Sequence, residues 1–156
     1  MPDTSLPADL LTLLDGSLPA SHLHQALRLS SVGSSGWPYA AQLSLGEVVM
    51  LSPQRLRFAL WPGSTTTANL IRDGKMTLAL VFDGAVFEIQ ALAEKREEVI
   101  TDLQLTVFDA EIRQVIAHRA PYATVTQGIS FVLKDEAAAT ARWRQQVIEL
   151  KTLPCG

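Results

Sequence analysis

The 156-residue chain has one cysteine, Cys155, beside its C-terminus. A single thiol excludes an intrachain disulfide framework, and a catalytic thiol would have to work from a chain end, so Cys155 reads as incidental. Positive charge is also scarce: 13 Lys and Arg stand against 16 Asp and Glu, a net charge of -3. Broad nucleic-acid binding needs a basic face to displace counterions from phosphates, so nucleic acid is not an expected partner. Long apolar runs are missing, and none approaches the roughly 18 residues that span a bilayer. The opening MPDTSLPAD carries an acid and no basic region of the signal-peptide kind. A soluble cytoplasmic protein without membrane contact is expected.

Several catalytic signatures are absent as well. Gly63-Ser64-Thr65 lacks the lysine and glycine spacing of a phosphate-binding P-loop. No serine sits in a nucleophile elbow. Of the three histidines, His22 and His24 are two apart and lack a third ligand, so no metal site is expected. His118 is placed by a predicted helix C-terminus, where its charge would suit the dipole. The mixed run from Glu94 to Glu98 reads as a solvated connection rather than a pair of catalytic acids. Side-chain catalysis thus has little support, and any chemistry would have to be carried by a cofactor.

What is present is an ordinary globular composition, 47% hydrophobic and 19% charged, enough for one domain over 1–156 with a core of its own. Pro7, Asp9, Leu10, Leu11 and Leu14, bounded by Ser5 and Gly16, predict a short amphipathic helix. Residues 26–32 and 37–45, joined by Gly33-Ser34-Ser35-Gly36, predict a β-hairpin. Further strands are expected at 48–51, 56–61, 76–82 and 85–93, the last two joined by the turn dipeptide Asp83-Gly84. Six short strands with one inserted helix predict a small barrel with few open edges.

Beyond the barrel, Asp109 is placed to cap a helix with Ile112, Val115 and Ile116 inward, closed by Pro121. Residues 128–133 read as a strand and 136–150 as a closing helix with Trp143, Val147 and Leu150 on one stripe. Residues 147–153 also fit a strand. The barrel core is therefore expected over about 23–94, with a helix-strand-helix region over about 109–150.

The most informative stretch is 56–81. Leu56, Phe58 and Leu60 share one strand face and Arg57, Ala59 and Trp61 the other. Ser64, Thr65, Thr66 and Thr67 then crowd the start of a helix that ends at Asp73-Gly74. Hydroxyls at a helix start serve either as a plain cap or, with the free amides and the dipole, as a seat for an anion such as a phosphate.

This order of elements, with Ser35-Gly36-Trp37-Pro38, Leu56-Arg57-Phe58-Ala59-Leu60 and the run from Ala68 to Met76, resembles the pyridoxamine 5'-phosphate oxidase-like, FMN-binding split-barrel family over about 23–94. The resemblance implies a mainly β fold with α (α+β), a split β-barrel with peripheral helices that pairs as a homodimer and holds FMN between subunits. It places the phosphate on Ser64, Thr65, Thr66 and Thr67 and the flavin beside Phe58 to Trp61. Trp37 and Trp61 are candidates for stacking on the ring, or for filling the barrel mouth or a dimer contact.

Where family members usually carry cations, this chain has Thr65 and Thr66 at the helix start and Ala41 and Gln42 on the second strand. Replacements would be Arg57, unless it is a solvated strand residue, or Arg72 or Lys75 of a partner subunit. The activity implied is FMN-dependent oxidoreduction of a small molecule whose identity is open; pyridoxamine phosphate oxidation has no motif of its own here. The alternative is a non-catalytic split-barrel protein that binds haem, a deazaflavin or no cofactor.

Overall fold

A computed structural model describes residues 3–154; Cys155, judged incidental above, lies outside them. Helix α1 (Ala8–Leu13) leads into strands β1 (Leu27–Val32), β2 (Pro38–Leu43), β3 (Val48–Ser52) and β4 (Arg55–Leu60). Helix α2 (Thr65–Asp73) follows, then β5 (Lys75–Phe82), β6 (Ala85–Ile100), β7 (Leu105–His118) and α3 (Glu136–Thr152). The strands form one antiparallel sheet in the order β2-β1-β5-β6-β7-β4-β3. The hairpin, the β4-α2-β5 unit and the closing helix thus match expectation. No helix among the described residues is long and apolar enough to cross a membrane.

The inner face of the sheet is apolar with period two. Leu27 and Leu29, Leu56 and Phe58, Leu78 and Leu80, Phe87 and Ile89, and Phe108 and Ala110 all point into one core. Phe58 and Phe108 are register partners, and their rings stack 5.4 Å apart. A second, smaller cluster lies on the outer face, where Val49, Ala59, Val107 and Leu105 meet Leu150 of α3. That end of the sheet is covered on both sides, so its outward residues are apolar too.

The expected helix from Asp109 is instead the second half of β7, and the barrel runs to His118 rather than ending near residue 94. A bulge explains the misleading pattern. Gln90 pairs with Gln114 and Ala91 with Ile112, which leaves Arg113 as an extra residue in β7. Ile112 and Val115 therefore face inward three positions apart, a helix spacing produced by a strand. The open backbone of the 16-residue β6 supplies the competing ladder. Residues 128–133 form no strand: one bridge, Gln25 to Ser130, is all they contribute to pairing. Residues 147–152 belong to α3.

The charged run 94–98 is likewise strand, not connection. It borders a buried ion network. Arg57 is fully buried and donates through Nε to Asp109 Oδ1 at 2.6 Å and through Nη2 to Oδ2 at 3.1 Å. Its remaining N–H groups donate to the carbonyls of Leu150, Leu153 and Pro154 at 2.8, 3.1 and 3.2 Å. Arg96 donates to Asp109 Oδ2 and to Glu98. One guanidinium thus clasps the end of α3 onto the barrel, neutralised by Asp109 and satisfied at every donor it offers there.

Two carboxyls respond to burial in opposite ways. Burial pushes Asp109 up, but hydrogen bonds from Arg57 and Arg96 outweigh it and hold the group below its ordinary 3.8. Its contribution is complete above that value and is lost as pH falls through the folded pKa. Glu47 closes a capping box with Ser44 in the turn under α3. Burial raises its pKa above 4.5 despite the Ser44 hydrogen bonds and the charge of Arg142. Its contribution is present below 4.5 and lost as pH rises through the folded value.

Arg57→Met should cost about 3 kcal/mol in urea unfolding, because it strands Asp109 and three carbonyls in a dry site. A loss below roughly 1 kcal/mol would show that the clasp adds little. Glu47→Gln keeps the capping oxygen without the charge, so its melting temperature should exceed that of the parent near about pH 7 and converge with it near about pH 4. A gain that persists unchanged in acid would refute the assignment.

Candidate functional site

The turn from Trp61 to Thr67 is built from four interlocked hydrogen bonds. The Ser64 amide donates to the Trp61 carbonyl at 3.1 Å, and Ser64 takes the extended conformation of an N-cap. Its Oγ accepts from the Thr67 amide at 3.1 Å. Thr67 Oγ1 donates to the Trp61 carbonyl at 2.7 Å and lies 2.9 Å from Ser64 Oγ. Since the one proton of Thr67 is given to Trp61, the Ser64 hydroxyl must donate to Thr67. Both protons are therefore spent inside the turn.

The free donors are the other two residues. The amides of Thr65 and Thr66 open the nine-residue α2 and have no acceptor among the described residues, as expected for the first turn of a helix. Thr65 is exposed. Thr66 is 1% exposed, and its Oγ1 is buried with no hydrogen-bond partner among the described residues. A buried hydroxyl without a partner costs about 1–3 kcal/mol, so such an orphan calls for an explanation. The two amides, the exposed Thr65 hydroxyl and the positive end of the helix dipole form a donor set of the kind that seats a phosphate, while the Thr66 hydroxyl is buried. No lysine or arginine occurs from Trp61 to Thr67.

The helix is anchored at its far side. Asn69, buried, donates to Ser31 Oγ at 3.0 Å, while Arg72 donates to the Val32 carbonyl and to Asn69. Gly74 closes α2 with φ 72°, its amide on Leu70 and its carbonyl taking the Ala93 amide. A Cβ there would stand 2.5 Å from the Ala93 oxygen, so glycine is required. The turn is thereby held on the barrel by both ends of α2.

The sequence-predicted residues separate accordingly. Ser64, Thr65, Thr66, Thr67 and Trp61 come together in this turn, and Trp61 is 55% exposed. Phe58 does not join them: it lies in the barrel core against Phe108 and presents no surface to a ligand. Arg57 is neither a solvated strand residue nor a phosphate ligand, being committed to Asp109 and the end of α3. Arg72 is engaged with β1. Trp37, at the hairpin turn, is 76% exposed.

The histidines remain scattered. His22 contacts Ser21 Oγ at 2.9 Å, His24 bonds Glu136, and His118 lies 3.3 Å from Glu88. Among the described residues no cluster of three metal-ligating side chains exists. The orphaned Thr66 hydroxyl and the closed proton relay of Ser64 and Thr67 could not be read from four adjacent hydroxyl residues, because helix phase decides which are spent.

No family model matches the chain. It is 32% identical over 143 residues to the uncharacterized protein YclD of Bacillus subtilis strain 168, covering 91% of this chain and 93% of that protein. Among solved structures, a candidate pyridoxamine 5'-phosphate oxidase of Lactobacillus delbrueckii superposes with a TM-score of 0.59 at 18% identity, over 75% of this chain and 100% of the other. HupZ of Group A Streptococcus gives 0.59 at 12% identity, covering 78% and 99%. An FMN-binding protein of Syntrophomonas wolfei gives 0.50 at 16% identity, covering 68% and 86%. Identities this low speak for fold alone, and the fold is the pyridoxamine 5'-phosphate oxidase-like split barrel expected from the sequence.

Ser64→Ala removes the cap and the acceptor of the Thr67 amide. It should lower stability by about 1 kcal/mol in chemical unfolding. An unchanged midpoint would mean that the turn is held by β4 and α2 without its hydroxyl relay.

Proposed function

The chain belongs to the family of Bacillus subtilis YclD, and from its split barrel and the α2 turn we propose that it is a homodimeric FMN-binding protein acting as an oxidoreductase on a small molecule. The observation that carries this reading is the orphaned Thr66 hydroxyl beside two unpaired amides at the start of α2. A phosphate oxygen accepts from all three, which removes the cost of leaving the hydroxyl unpaired. The FMN-binding neighbour of the same fold supports the choice of phosphate ester.

Thr65 and Thr66 would hold the phosphate through their amides and hydroxyls. Ser64 and Thr67 would keep those donors aimed by locking the turn to the Trp61 carbonyl. Trp61, exposed on the same turn, offers a flat apolar face to the ring system. Bound FMN supplies hydride or single-electron transfer, and the protein contributes binding, orientation and exclusion of water. With no cation in the turn, the phosphate forgoes charge-assisted bonds, each roughly twice as strong as a neutral one. Affinity in the micromolar range is therefore expected.

The test is titration of purified protein with FMN, followed by flavin fluorescence quenching, alongside the mass of the particle in solution by light scattering. Binding at micromolar concentration to a dimer is expected, and no binding at tens of micromolar would overturn the reading. Thr66→Val separates ligand binding from stability. It should leave the apo melting temperature unchanged or raised, since an unsatisfied polar atom disappears, while FMN affinity falls about tenfold. Equal FMN affinity in parent and variant would place the phosphate elsewhere.

A further inference from the structure

The outer face of the sheet carries a groove that the α2 turn does not reach. It has a volume of about 470 Å³, the size of a small-molecule site, and lies across β1, β5, β6 and β7. Its bed is a polar row that crosses four strands in register, Ser30 to Thr77 to Gln90 to Gln114. Of these four, Ser30, Thr77 and Gln90 line the groove, with Val32, Pro38 and Leu92 supplying apolar wall.

Charge in the groove is of one sign. In a protein of net charge -3, the only charged side chains lining it are Lys75 and Arg113. Neither forms an ion pair among the described residues, whereas Arg57, Arg72, Arg96 and Arg119 all do. Strand alternation faces both cations outward, beside buried Met76 and Ile112. Arg113 follows the inward Ile112 and so faces outward, and as the extra residue of the β7 bulge it stands next to Gln114 on that side. Lys75 follows Gly74, whose left-handed conformation turns the chain from α2 into β5.

We infer that this groove is a binding site for an organic anion: an acidic head group held by Lys75 and Arg113, and an apolar body laid against Val32, Pro38 and Leu92. Unpaired cations over an apolar wall match such a molecule in both parts, as a purely apolar or purely ionic ligand does not. The site is distinct from the proposed phosphate seat. The two lie at opposite ends of the nine-residue α2, a span of about 14 Å at the helical rise. The inference holds with or without a flavin on the protein.

The test uses a matched pair of fluorescent probes, 8-anilinonaphthalene-1-sulfonate and its uncharged counterpart N-phenyl-1-naphthylamine, titrated into the full-length protein. The sulfonate should bind to one site per chain about tenfold more tightly than the neutral probe, and added salt should shrink the difference. Lys75→Gln and Arg113→Gln should each remove most of that preference, while Arg113→Lys retains it. Arg28→Gln, on the same outer face but outside the groove, should change nothing. Equal affinity for the two probes, or a preference that survives both glutamine variants, overturns the proposal. So does absence of sulfonate binding from a folded dimer, which would mean that a second copy fills the groove. FMN titration of Arg113→Gln keeps the two readings apart. Unaltered FMN affinity is expected, whereas weakening of FMN and sulfonate together, with mutual displacement, would make the groove the flavin's own site and refute a second one.

Discussion

The pairing of β6 with β7 is the constraint on which the other elements rest. These strands, 16 and 14 residues long, share one ladder from Val86–His118 to Ile100–Leu105. On one side β6 carries β5, β1 and β2; on the other β7 carries β4 and β3. Neither half closes a core alone, since Phe58 of β4 stacks on Phe108 of β7 while Leu78 of β5 packs with Ile89 of β6 in the same cluster. A ladder this long would be a flat, open surface if it were regular. Register shifts at Gln90/Ala91 and Lys95/Val99 break it into segments that bend around the core.

The outer face of the same sheet is treated in two ways along its width. At the β3-β4-β7 end it is apolar and covered by α3, with Leu150 seated among Val49, Ala59 and Val107. The Arg57 clasp belongs to this end: burying a guanidinium is tolerable only because Asp109 and three backbone carbonyls meet its donors. Toward β1 and β5 no helix covers the face, and its residues become small, polar and half-exposed. The groove lies in this uncovered region, where cations remain available. Structural charge and available charge are thus separated across one sheet.

Local patterns carried a large share of the fold. Period-two runs and turn dipeptides located β1 to β5 and the first part of β6, and Ser64 and Gly74 bounded α2 to the residue. Each of these signals is made by neighbours in the chain. The errors arose where pairing at a distance overrode them. Ile112 and Val115 mimic helix spacing because a bulge intervenes, and the charges from Glu94 to Glu98 lie within a strand because Arg96 finds Asp109 thirteen residues on. Arg57 was ambiguous for the same reason, since burial of an arginine depends on partners 52 to 97 residues away.

The amino-acid sequence by itself determined the barrel's strand and helix alphabet and the place of the hydroxyl-rich turn, because propensity, alternation and capping are short-range effects. Only the tertiary structure decided which of the four hydroxyls are spent and which is orphaned, that Phe58 is core, and that Arg57 is a clasp. It also decided that Lys75 and Arg113, far apart in the chain, share one groove. Hydrogen-bond protons, burial and strand register are properties of the assembled sheet, and no residue carries them alone.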